Sequence, residues 1–153
     1  MTSFLEIYNK STKLPFGRYL FNKGVGLVAP FFGKIHPSIM ELKPASCVIQ
    51  MKDRWGIRNH IGTINAGAMC TLAELTGGMA VDATIAKHLR WIPRDMAVEY
   101  LRKGKGTLQA VCRFDANLIQ EGDVTLPVII KNMAGKDVLS AKITFHISKK
   151  KDK

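Results

Sequence analysis

A chain of 153 residues with 46% hydrophobic and 23% charged residues has ordinary globular make-up, and its length suits one domain with a core that needs no staples. The formal net charge of +11 is unusual and favours anionic partners: nucleic acid, acidic membrane or phosphate-bearing cofactors. Cys47, Cys70 and Cys112 are odd in number and widely spaced, without a C-x-x-C or a histidine at ligand spacing, which argues against a disulfide framework or zinc site and for reduced thiols in the cytosol.

The first residues lack a basic segment followed by an apolar core, so no signal peptide is expected. Residues 3–32 read as interrupted helix. Phe4, Leu5 and Tyr8 share one face, and Phe16, Tyr19, Leu20 and Lys23 repeat the spacing, with Pro15 starting the second piece. The apolar run from Val25 to Phe32 is too short to span a bilayer. After Gly33 the period changes: Ile35 to Leu42 and Cys47 to Met51 read as two strands joined around Lys43-Pro44-Ala45. Asp53 to Thr63 is a polar loop. Asn65 to about Lys87 is one long apolar helix, expected to be buried on most sides, with Lys87, His88 and Arg90 suited to its C-terminus.

The remainder is strand-like. Met96–Leu101 and Thr107–Phe114 flank Lys103-Gly104-Lys105-Gly106, which predicts a hairpin, and Val124–Lys131 and Val138–Ser148 flank a second turn at Met133–Asp137. Pro127 predicts an edge position or a bulge in its strand. The tail, residues 149–153, carries a net +3 and is expected to be a solvated, disordered end after a domain of residues 1–148. The class is α+β: a curved antiparallel sheet round one long helix, with extra N-terminal helix and with dimerisation closing what the sheet leaves open.

The chemistry concentrates in Asn59–Glu74. On a helix, Glu74 has Cys70, Thr71, Gly77 and Gly78 as its nearest face neighbours and Gly67 two turns back, so no local cation pairs with it. A carboxylate there is either partnered from elsewhere or raised in pKa, as a general base would be; the alternative is an exposed glutamate on an ordinary face. Gly77-Gly78 inside a helix costs about 1 kcal/mol per residue relative to alanine, which close packing or room for a ligand offsets. Asn65 or Thr63 can cap the helix, leaving the N–H groups of Ala66, Gly67 and Ala68 for an oxyanion or phosphate; plain capping is the simpler alternative. Asn59 can hold a water or a carbonyl. His60 can be a base or a loop histidine satisfied by backbone. No serine-hydrolase elbow, Walker A or dinucleotide fingerprint is present.

The series Asn59-x-x-Gly62-Thr63-x-Asn65-Ala66-Gly67-Ala68-x-x-x-Leu72-Ala73-Glu74 resembles the N-x-x-G-x-x-H-G-G-x-x-x-x-L-A-D pattern of hotdog-fold acyl-CoA thioesterases of the phenylacetyl-CoA type. It is similar also to a hotdog subgroup classed as a domain of unknown function and described as thioesterase-like. The resemblance spans nearly the whole chain in element order. It implies Glu74 as general base or nucleophile, Gly67 as the backbone donor that polarises the thioester carbonyl, and Asn59 as the residue that positions water or substrate. Asn65, Ala66, His60, Thr71 and Arg58 are the residues expected to line the substrate. No metal and no cofactor beyond the CoA of an acyl-CoA substrate are expected, and the resemblance implies a homodimer or dimer of dimers, because in the family acid and helix-start donor come from different subunits. Asn65 stands where the pattern has His, Ala66 where it has Gly, and Glu74 where it has Asp.

Two functions compete on this fold: thioester hydrolysis, and non-catalytic binding of acyl-CoA or fatty acid, which the changes at Asn65 and Ala66 favour. Nucleic acid is not an expected partner, because the strands lack the aromatic-basic alternation of stacking surfaces.

Overall fold

Ile143, Phe145 and Ile147 are buried while Lys142, Thr144 and His146 between them are not, the period-two signature of a strand with one face on a core. The same alternation recurs at Leu126, Val128 and Ile130, and at Leu108, Ala110 and Cys112. These strands need an apolar body to cover them. The only long, nearly uncharged segment available is the one beginning at Ala66.

The computed structural model describes residues 4–150. Helices α1 (Phe4–Ser11), α2 (Gly17–Val28) and α3 (Pro30–Gly33) lead to strands β1 (Ser38–Lys43) and β2 (Ser46–Met51). A loop with a 3-10 turn at Trp55–Ile57 precedes α4 (Ala66–Asp82); then follow β3 (Leu89–Tyr100), β4 (Leu108–Arg113), β5 (Gly122–Asn132) and β6 (Asp137–Lys149). The strands form one antiparallel sheet in the order β1-β2-β4-β5-β6-β3. The sheet curves about α4, which touches every strand, and α1 to α3 lie against the helix and β1. This is the hotdog arrangement. No helix among the described residues is long and apolar enough to cross a membrane.

Gly77 and Gly78 allow that burial. A Cβ at Gly77 would lie 3.1 Å from Phe145 Cζ and 3.3 Å from Ile143 Cδ1; at Gly78 it would lie 2.7 Å from the Trp91 ring. One glycine lets α4 settle on the sheet, and the other lets Trp91 of β3 lie across the helix.

Several expectations are corrected. The Lys103–Gly106 segment is not a hairpin: β3 pairs with β6 at one edge, while β4 lies between β2 and β5. The connection crosses the helix start instead, where Gly104 O accepts Ile64 N–H at 2.9 Å and Gly106 N–H donates to Asp53 Oδ2 at 3.1 Å. Turn composition alone does not distinguish such a crossing from a hairpin. Helix α4 ends at Asp82, so Lys87, His88 and Arg90 do not cap it; β3 starts at Leu89, seven residues before Met96. Pro127 lies on an inner strand, but pairing with β4 stops at Val128, so Pro127 pairs with β6 only. Helix α2 begins at Gly17, two residues after Pro15, through Phe16 at φ 60. Lys149 belongs to β6 and Lys150 N–H donates to His88 O at 2.9 Å; residues 151–153 lie outside the described residues. Cys47 and Cys112 are far apart in sequence yet face each other across β2 and β4; both are free and buried, and burial pushes both thiols up, Cys112 to about 12.

Gly77→Val forces branched methyls against Phe145 and Ile143 and is expected to cost about 1–3 kcal/mol of stability, the range for overpacking a dense core. Urea melts of the variant against the native chain measure it; an unchanged midpoint would show that α4 has slack above the sheet.

Candidate active site

The start of α4 is fixed on both sides by backbone. Ile64 N–H donates to Gly104 O, and Asn65 N–H donates to Ile57 O at 2.8 Å. Asn65, in extended conformation, is the cap, and its Oδ1 accepts the Gly67 N–H at 2.7 Å. Of the three N–H groups expected to be free, Gly67's is therefore occupied by the chain's own side chain. The Asn in place of His supplies this cap directly. Thr63 is not the cap.

Asn59 builds the preceding turn. Its Oδ1 accepts N–H groups of Ile61 (3.2 Å) and Thr63 (3.1 Å), its Nδ2 donates to Thr63 Oγ1 at 2.9 Å, and its backbone N–H donates to Thr63 O at 2.8 Å. Gly62, at φ 75, closes the turn. The amide expected to hold water is engaged with the loop. Thr71 is similarly occupied: its hydroxyl donates to Gly67 O at 2.8 Å, one turn back. Arg58 and His60 face a shallow cleft with Trp55 and Gly62. Arg58 Nε donates to Asp53 Oδ1 at 2.7 Å, which holds the Asp53 carboxyl below the ordinary carboxylate range.

Glu74 is half-buried on α4 and makes no hydrogen bond or ion pair among the described residues. It stands at an apolar cleft of about 620 Å³, partly open to solvent, between α4, the inner sides of α2 and α3, and β3. Val25, Ala29, Phe32, Met79 and Trp91 form walls, with Phe4 among the lining residues. Glu74, Gly78 and Asp82 follow one another at i, i+4 and i+8 and place two carboxyl groups along it. The cleft's walls come from elements distant in sequence and are not visible as a motif. Asp82 was nonetheless detectable, since it continues the face of Glu74 and Gly78.

Trp91, the Phe4 backbone and Lys150 favour the charged form of Asp82, but burial outweighs them and pushes its carboxyl above the ordinary aspartate range. No three His, Cys, Asp or Glu side chains converge as a metal site among the described residues.

Gly67 and Glu74 are seven residues apart, so their backbones are separated by about 10 Å along the axis at 1.5 Å rise per residue.

The family model of a domain of unknown function, DUF4442, matches residues 17–147. Among solved structures, the chain is similar to the genomics protein APC5556, at 33% identity with a TM-score of 0.86, covering 96% of this chain and 99% of that one. It is similar to PA5026 of Pseudomonas aeruginosa, named a probable thioesterase, at 22% identity and a TM-score of 0.78 over 90% of this chain and 97% of that one. A hypothetical thioesterase of Streptococcus pneumoniae TIGR4 solved with coenzyme A aligns at 20% identity and a TM-score of 0.63, covering 76% and 91% of the two chains. At these identities the last two show the shared fold. No protein with a curated description matches the chain.

Asp82 makes stability pH-dependent with a definite sign. Its folded pKa lies above the unfolded one, so between the two values the native state holds more protons and stability falls as pH rises. The contribution is complete below the unfolded value, about 3.9, and is lost through the folded one. Asp82→Asn is therefore expected to melt higher than the native chain at pH 7, with the advantage vanishing towards pH 4. Thermal melts across this range check it; an advantage that grows on acidification would reverse the assignment.

Proposed function

The chain belongs to the DUF4442 family, and we propose that it hydrolyses acyl thioesters of the acyl-CoA type at a site completed by a second copy of itself. The observation that carries this reading is Glu74: a carboxylate with no hydrogen-bond or ion-pair partner among the described residues, beside an apolar cleft. The cleft takes the acyl group. Glu74 removes a proton from water, the water oxygen attacks the thioester carbon, and the negative charge collects on the carbonyl oxygen. The C–S bond then breaks, and the thiolate of CoA leaves with the proton that Glu74 held.

The oxyanion is met by the helix start of the second copy. Asn65 Oδ1 occupies the Gly67 N–H until the substrate oxygen replaces it, and the helix terminus adds its dipole. Asn59 contributes by holding the turn that sets this start, while Ala66, with its small side chain, leaves access. Thr71 fixes the first turn from within. In this reading Arg58 and His60, beside the shallow cleft of the loop before α4, take the anionic part of CoA.

Strand β3 supports the dimer. It is twelve residues long, lies at the sheet edge, and is paired only with β6. Its free row of backbone groups is a template for a second β3. Such pairing would lay two α4 helices side by side and answer the 10 Å separation (about two helical turns) noted above.

A second reading, non-catalytic binding of acyl-CoA or fatty acid, is favoured by the occupied Gly67 N–H. Hydrolysis assays over short, long and aromatic acyl-CoAs separate the two. The native chain is expected to release acid and free thiol, and Glu74→Gln to lower kcat by about 100-fold or more, as for loss of a general base. Undiminished turnover in Glu74→Gln would remove Glu74 from the chemistry. Thermal stabilisation by acyl-CoA without any turnover would establish the binder.

Charges at exposed β3 positions, Ile92→Lys with Ala97→Lys, are expected to shift the native dimer to monomer and abolish turnover together. Light scattering beside the same assay tests this, and an active monomer would refute the shared site.

A further inference from the structure

We propose that the outer face of α2 and α3 docks on the surface of an anionic phospholipid bilayer. Residues 7–40 contain five Lys or Arg and no Asp or Glu. All five (Lys10, Lys13, Arg18, Lys23 and Lys34) are exposed. Between them large apolar side chains face solvent: Phe16 is 85% exposed, Leu27 82%, Phe31 71% and Leu20 63%. Phe21 and Val25 hold α2 to the core, so the outward apolar groups are not required for folding. An exposed apolar stripe flanked by basic residues is the pattern of a helix that lies in a membrane interface.

Charge selects the occupant. Two copies of this chain meeting on this face would oppose like charges, whereas anionic headgroups neutralise them. Beside α2, a cleft of about 1020 Å³, partly open to solvent, is lined by Tyr19, Lys23, His36, Lys52 and Arg54 with no carboxylate. Lys23, Lys52 and Arg54 concentrate positive charge there, while burial, and then Arg54 and Lys23, hold His36 below its ordinary pKa. A lipid phosphate fits this cleft while Leu20, Leu27 and Phe31 enter the interface.

The inner sides of the same helices supply Val25, Ala29 and Phe32 to the acyl cleft. If the hydrolase reading holds, the docked bilayer lies behind one wall of the site, suited to acyl chains that partition into lipid. The docking itself does not depend on that reading.

The test is sedimentation of the full chain with vesicles of phosphatidylcholine alone or mixed with phosphatidylglycerol, at low and high salt. The native chain is expected to pellet with the mixed vesicles, to release at high salt, and to ignore phosphatidylcholine. Arg18→Glu with Lys23→Glu, and separately Leu27→Ser with Phe31→Ser, are each expected to weaken binding about tenfold or more, with melting temperatures unchanged. Turnover of short soluble acyl-CoA stays at the native level in the Ser pair, which separates loss of docking from loss of the hydrolase. Absence of pelleting with mixed vesicles, equal pelleting with both vesicle types, or an oligomer that the Ser pair dissociates would each overturn the proposal.

Discussion

The rest of the structure depends on the burial of α4 against the concave side of the sheet. The helix is apolar round almost its whole circumference, with Leu72, Ala73, Ala80 and Val81 fully or nearly fully enclosed. Its close seat on Ile143 and Phe145 is possible because Gly77 has no side chain. That seat fixes the direction of the face that remains, carrying Glu74, Gly78 and Asp82. The cleft is thus a by-product of how the helix is packed: the sheet covers one side, Trp91 crosses another, and α2 and α3 roof the remainder.

The two carboxyl groups of this face have separate environments. Asp82 is half-buried near Trp91 and the start of α1, and burial pushes its carboxyl up. Glu74 makes no hydrogen bond or ion pair among the described residues. A half-buried carboxylate without a protein partner loses hydration without recovering it in bonds, so its position is costly unless a substrate or water uses it. The helix start shows the reverse economy. Its turn and cap are satisfied internally by Asn59, Thr63 and Asn65, so this donor group is preorganised but occupied. Under the proposed hydrolysis, the substrate has to compete with Asn65 for the Gly67 N–H.

The N-terminal helices serve the molecule on both sides. Phe21 and Val25 turn inward and complete the core and the cleft, while Leu20, Leu27 and Phe31 turn outward among lysines and arginine. The high positive charge is accordingly uneven, with a long segment free of acidic residues at the face where apolar groups are exposed.

Periodicity in the sequence by itself determined the long helix, the paired strands β1–β2 and β5–β6, and the face shared by Gly67 and Glu74, because these are local patterns of 3.6 or two residues. The spacing from Asn59 to Glu74 also carried the hotdog resemblance. Only the tertiary structure decided the placement of β3 at the far edge beside β6, since Lys103–Gly106 has the composition of a hairpin but spans the helix start. Likewise, only the fold decided that Gly67 N–H is taken, that Asn59 is spent on its turn, and that Val25, Phe32, Met79 and Trp91 surround Glu74. Those outcomes depend on contacts between residues distant in the chain and on competition for each hydrogen-bonding group. Neither leaves a local signal, because the same residue types would satisfy other partners equally well in another fold.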